Sequence, residues 1–202
     1  MKSKAFSSMV LLIALLSTSP AFADVISYTA ILNGPNESPS NASPGTGNAL
    51  VDIDTIADTM QVQASFSGLV GTATASHIHA ATAVSGAGTA GVATTTPYFT
   101  GFPVGVTAGS YNHTFDLTLA SSYNPSFITA NGGTEASAEA ALLTALADGK
   151  AYFNIHTTVF AGGEIRGFLT AVPAAVPEPS TMLLLGSGLV GLVGYGRRRL
   201  KK

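Results

Sequence analysis

The stretch "KAYFNIHTTVFAGGEIRGFLTAV" (150–172) decides the fold. Successive strand side chains point to opposite sides. Ala151, Phe153 and Ile155 therefore share one face, and Tyr152, Asn154 and His156 share the other. The segment "TVFAGG" (158–163) then turns the chain, and "GEIRGFLTAV" (163–172) returns as a second strand. Two such runs joined by a short Gly-containing turn form an antiparallel hairpin.

Working outward, "TEASAEAALLTALADG" (134–149) precedes this hairpin. It has Thr134 placed as an N-cap, Glu135 in the first turn, Ala and Leu at helical spacing, and Gly149 placed to end it. Earlier segments read as strands. "VISYTAIL" (25–32) is stopped by "NGPNESPSNASPG" (33–45), where three prolines and two glycines forbid regular pairing. "NALVDIDT" (48–55) and "MQVQASFSGL" (60–69) alternate around the hairpin loop "IADT" (56–59). "SYNHTFDLTL" (110–119) sets Tyr111, His113, Phe115, Leu117 and Leu119 on one side. Short strands without βαβ alternation predict an all-β fold. The expectation is an antiparallel β-sandwich, Greek-key and immunoglobulin- or superoxide-dismutase-like, with one inserted helix near 135–148.

The two ends read as addresses. Lys2 and Lys4 precede the apolar run "MVLLIALL" (9–16), and Ala21-Phe22-Ala23 is a small-x-small cleavage site. Residues 1–23 are thus expected to be a signal peptide cut between Ala23 and Asp24. At the other end, a linker (173–181) carries Pro177-Glu178-Pro179, an apolar run (182–196) follows, and "RRRLKK" (197–202) closes the chain. The basic cluster keeps that terminus cytoplasmic and leaves the domain at 24–172 on the outer side of the membrane. These three parts, in this order, resemble the PEP-CTERM sorting signal of Gram-negative bacteria. The resemblance implies a transient transmembrane helix and recognition by an exosortase after Sec export. Release or attachment at the cell surface follows, and a plain C-terminal anchor would share the topology.

Composition narrows the function classes. Charged residues make up 10% of the 202, against a usual quarter or so, and the net charge is −2. With the terminal lysines and arginines set aside no basic surface remains, which argues against nucleic acid as a partner. Cysteine is absent, so disulfides, thiolate metal sites and thiol chemistry are excluded. No Gly-x-Ser-x-Gly elbow, phosphate loop or His-Glu-x-x-His helix occurs. Asp52, Asp54 and Asp58 lack the glycine and closing glutamate of an EF-hand loop.

Several stretches resemble the CHRD domain, a module named for chordin and found alone in exported bacterial proteins. They are "LNGPNESP" (32–39), "SFSGLVG" (65–71) ahead of "SHIHAA" (76–81), and "AEAALLTALADGKAYFNIHT" (138–157) followed by "GGEIRG" (162–167). Two positions depart from the pattern: Ser38, where a hydrophobic residue is common, and Ala161, where a proline often precedes the glycine. The resemblance implies a β-sandwich-like domain and little about activity.

The candidate chemistry lies in "SHIHA". His77 and His79 share a strand face, with Cα atoms roughly 6.5 Å apart. If the sheet sets that strand beside the one carrying His156, three imidazoles converge in a set that suits copper or zinc, with a fourth position open for water. The alternative is three neutral sheet histidines satisfied by backbone or carboxylate partners. His113 lies on the apolar side of its strand and reads as structural. Glu164 and Arg166 share a face, and they are expected to pair in a partly buried polar network.

Two functional readings follow. The first, favoured by the missing catalytic set, is a surface-sorted, non-enzymatic matrix, adhesion or binding module meeting extracellular polysaccharide or surface proteins. The second is a copper- or zinc-binding domain with a redox role, using His77, His79 and His156.

Overall fold

A computed structural model describes residues 25–173 and 186–188. The chain runs β1 (Val25–Asn33), β2 (Thr46–Asp54), β3 (Thr59–Ser67), β4 (Ala73–His79), β5 (Gly109–Asp116), α1 (Pro125–Ala130), α2 (Glu135–Ala147), β6 (Tyr152–Thr157), β7 (Ile165–Phe168) and β8 (Thr170–Ala171). All strand pairs are antiparallel, in the order β4-β6-β7-β1-β2-β3-β5, with β8 also on β1. The sheet is strongly curled. At one edge, Ala73 of β4 donates to Val106 O (2.8 Å) and accepts from Gly105 N (2.7 Å), in the connection that leads into β5 at the other edge.

Alternation explains which faces meet inside the curl. Leu32 of β1, Val51 and Ile53 of β2, Met60 and Val62 of β3, Ile78 of β4, and Phe153 and Ile155 of β6 are all fully buried in one apolar cluster. Removing that much apolar area from water is the main stabilising contribution in a chain without disulfides. Helix α2 covers the cluster with Ala138, Leu142, Ala145 and Leu146, which share one face at helical spacing. Thr134 caps its N-terminus reciprocally with Ser137, and Gly149 (φ 65°) terminates it.

The all-β antiparallel expectation holds, and the helix at 135–147 falls where the sequence places it. A second, short helix (α1) was not foreseen; Asn124 caps it and Pro125 opens it. The return strand expected at 163–172 divides into β7 and β8 at Leu169, whose side chain is fully buried. Strand β5 stops at Asp116, so Leu119 lies outside it and is 51% exposed. The expected signal peptide (1–23) and almost all of the C-terminal sorting segment lie outside the described residues. Among the described residues, no helix is long and apolar enough to cross a membrane.

One feature of the fold prepares the site. Strand β6 is buried on both faces: Phe153 and Ile155 meet the core, while Tyr152 and Asn154 on the other face are 3% and 2% exposed. That second face is roofed by two irregular segments. The first follows β1, where Asn41 Nδ2 donates to Glu164 O (3.0 Å). The second is the long connection between β4 and β5, whose Ala90 and Pro97 carbonyls reach the histidines of β4. Long ordered connections of this kind usually serve a binding or covering role.

Candidate metal centre

Register brings the three histidines together. His77 lies directly opposite Asn154 and His79 opposite Tyr152, while His156 lies opposite Ala75, diagonal to His77. Side chains on such direct and diagonal cross-strand positions are within mutual reach. Ring centroids are 5.7 Å apart for His77–His79, 5.4 Å for His77–His156 and 5.9 Å for His79–His156. One ring nitrogen from each lies within 4.8 Å of the other two.

Each ring is held by a backbone carbonyl. His77 Nε2 donates to Pro97 O (2.6 Å), His79 Nδ1 to Ala90 O (2.9 Å), and His156 Nδ1 to Ala161 O (2.9 Å). A carbonyl oxygen only accepts, so the ring proton must sit on the nitrogen that faces it. The other nitrogens then carry bare lone pairs. His77 Nδ1, His79 Nε2 and His156 Nε2 are all buried and without a partner. A carbonyl fixing the tautomer behind each imidazole is the usual outer arrangement of histidine metal ligands. The three rings therefore do not form the fully satisfied set that the simpler expectation required.

Electrostatics keep the imidazoles neutral. Burial pushes His77 and His79 down to about 4, against the pull of their carbonyl partners, and the neighbouring imidazoles add to the depression. Burial also lowers His156. Neutral imidazole is the ligating form. Bonds of about 2.0–2.1 Å to one ion set ligand nitrogens roughly 3.3–3.6 Å apart, so a pair at 4.8 Å must close by about 1.2–1.5 Å. The residues fit a copper or zinc ion.

Around the histidines sits a polar network. Asn154 Nδ2 donates to Glu37 Oε1 (2.9 Å), which leaves Asn154 Oδ1 buried and unpartnered. Arg166 faces Glu37 Oε2 at 3.8 Å and donates to Asn36 O and Gly88 O. Its guanidinium lies 4.7 Å over the Tyr152 ring, which stacks on His79 at 4.7 Å. Burial raises Glu37 to about 7, and Arg166 opposes that rise. Gly163 (φ 131°) is packed against Glu37 and Asn154 so closely that an added Cβ would lie 2.6 Å and 2.5 Å from them.

The expected pairing of Glu164 with Arg166 is not what the structure shows. Glu164, fully buried, accepts from Ser43 Oγ (2.6 Å), Thr157 Oγ1 (2.7 Å), Val70 N (2.5 Å) and Gly71 N (3.1 Å). Those four donors occupy both of its oxygens, while Glu37 and two carbonyls occupy the guanidinium of Arg166. The arginine's acidic partner is therefore Glu37, which sequence reasoning left as part of the "LNGPNESP" loop. The one local signal for it was an acid among turn-forming residues. His113 packs edge-on against Phe115 (4.7 Å) and is away from the other three.

The fold and site together define an antiparallel β domain with a roofed three-histidine cluster. The family model of the CHRD domain matches residues 28–169, and the chain belongs to that family. The PEP-CTERM protein-sorting motif matches residues 175–199, covering Pro177, Glu178 and Pro179, and marks the chain for exosortase-dependent sorting to the surface. No curated protein and no solved structure is significantly similar to the chain.

Proposed function

We propose that this exported, surface-sorted protein is a metal-binding protein, holding one copper or zinc ion between His77, His79 and His156. The observation that carries the reading is three imidazoles that each offer a ring nitrogen within 4.8 Å of the others, each ring held at one nitrogen by a backbone carbonyl and left with the other buried and unpartnered. Calorimetric titration of the metal-free protein with copper and zinc tests it. Wild type takes up one equivalent, and His79→Ala loses at least 100-fold in affinity. Identical titrations of the two would end the reading.

A wider role as a binding module on surface polymers is supported by the sorting motif and by an outer face on β2, β3 and β5 rich in amides and hydroxyls. That face carries Asn48, Gln61, Gln63, Ser65 and Asn112, with Asp52, Asp54 and Asp116 towards one end. Binding of the protein to immobilised extracellular polysaccharide, lost on substituting these amides, checks it. Equal retention of wild type and variants would refute it.

A further inference from the structure

The metal-binding reading leaves open which ion the site prefers, and the charge inventory of the buried face answers that. All three ligands are neutral imidazoles. The fourth unpartnered acceptor beside them, Asn154 Oδ1, is also uncharged; Asn154 is 2% exposed and stands directly opposite His77. No carboxylate belongs to the ligand cluster among the described residues. The two buried acids on this side of the sheet are committed elsewhere: Glu37 to Asn154 and Arg166, Glu164 to its four donors. The fixed charge that bears on His79 is a cation. Arg166 is 4% exposed and lies on the far side of the Tyr152 ring that stacks on His79.

Two physical terms then separate the candidate ions. The cost of desolvating an ion rises with the square of its charge, so a dication loses about four times as much as a monocation on entering this pocket. Repulsion from Arg166 is twice as large for the dication. Neutral ligands and a neutral amide return no charge to offset either term.

We infer that the three-histidine site selects monovalent copper over zinc. The inference rests on the metal-binding reading above and adds its ion. The site holds copper(I) in a three-nitrogen environment, and Asn154 is a positioning residue that keeps the fourth side uncharged.

The test uses the full protein under anaerobic conditions, loaded with one equivalent of zinc and titrated with copper(I) buffered by bicinchoninate. One equivalent of copper(I) is expected to release the zinc, and X-ray absorption at the copper edge is expected to show three nitrogen ligands. Asn154→Asp places an anion beside the ion. At about 6 Å and an effective dielectric near 20, the extra unit of charge on zinc raises the zinc-to-copper(I) affinity ratio on the order of 100-fold. Glu37→Gln removes the anion facing Arg166 and moves the ratio the other way, which keeps the test decisive if Asn154→Asp fails to fold. Zinc that resists stoichiometric copper(I), or a ratio unmoved by both variants, overturns the inference and leaves metal binding intact. Uptake of neither ion by wild type overturns both.

Discussion

The metal-free protein should lose stability as pH falls from 6.5 to 4, and the size of that loss follows from the roofed face. His77 and His79 are 6% and 8% exposed, and burial pushes both down to about 4 from an ordinary 6.5. Between those values the unfolded chain binds more protons than the folded one, so stability is present above 6.5 and declines as pH falls. A fall from 6.5 to about 4 is worth roughly 3 kcal/mol per imidazole by pH 4, or about 6 kcal/mol for the two. Glu37 works in the opposite direction. Its folded value is raised to about 7, so the folded chain binds the extra proton between about 4.5 and 7, and acidification through that window adds roughly 3 kcal/mol. The net expectation is a loss of about 3 kcal/mol from pH 7 to 4. Urea denaturation of the chelator-treated protein at half-unit pH steps measures it. Glu37→Gln removes the opposing contribution, so its loss over the same range should approach about 6 kcal/mol. A midpoint flat between pH 7 and 4 in both proteins would show that the imidazoles are not buried neutral, and the reasoning would fall.

Other outcomes follow from the same contacts. Glu164→Gln replaces one carboxylate oxygen with a donor facing a backbone N–H and a hydroxyl. It should cost about 2–4 kcal/mol in chemical denaturation, and a change under 0.5 would contradict the four-donor geometry. Gly163→Ala forces a Cβ against Glu37 and Asn154 in a backbone region that side chains avoid. It should cost at least about 2 kcal/mol and weaken metal uptake in the same titration that measures wild type. Thr134→Ala removes the reciprocal cap of α2 and should cost about 1 kcal/mol, read from the thermal midpoint, without changing metal affinity.

What the sequence made legible was whatever depends on local periodicity. Alternation in "MQVQASFS" and "YFNIHT" assigned the inward faces of β3 and β6, and Thr134 with Gly149 bracketed α2 within a residue. The same i, i+2 rule put His77 and His79 on one face, and the face of His156 on β6 followed likewise. The rest depends on contacts between residues far apart in the chain. Nothing local says that the 80–97 segment returns to offer Pro97 and Ala90 carbonyls to β4. Nor does "NESP" reveal that Glu37 lies against Asn154, 117 residues away. Without that roof, Tyr152, Asn154 and Arg166 read as an outer face, and the nearest acid in sequence, Glu164, looked like the arginine's partner.

The partners on this face bear on the proposed metal site. The described residues leave four acceptors here with nothing to donate to them: His77 Nδ1, His79 Nε2, His156 Nε2 and Asn154 Oδ1. Each buried, unmet acceptor costs roughly 1–3 kcal/mol, so the four together cost about 4–12, comparable to the whole stability of an ordinary domain. A trapped water has two O–H donors and can satisfy two of the four, leaving a pair unmet. A single cation meets three lone pairs at once and needs no proton from any of them. Apolar side chains at these positions would have packed β6 at no such cost. This cost favours the proposed reading, a cradle for positive charge, over a purely structural core.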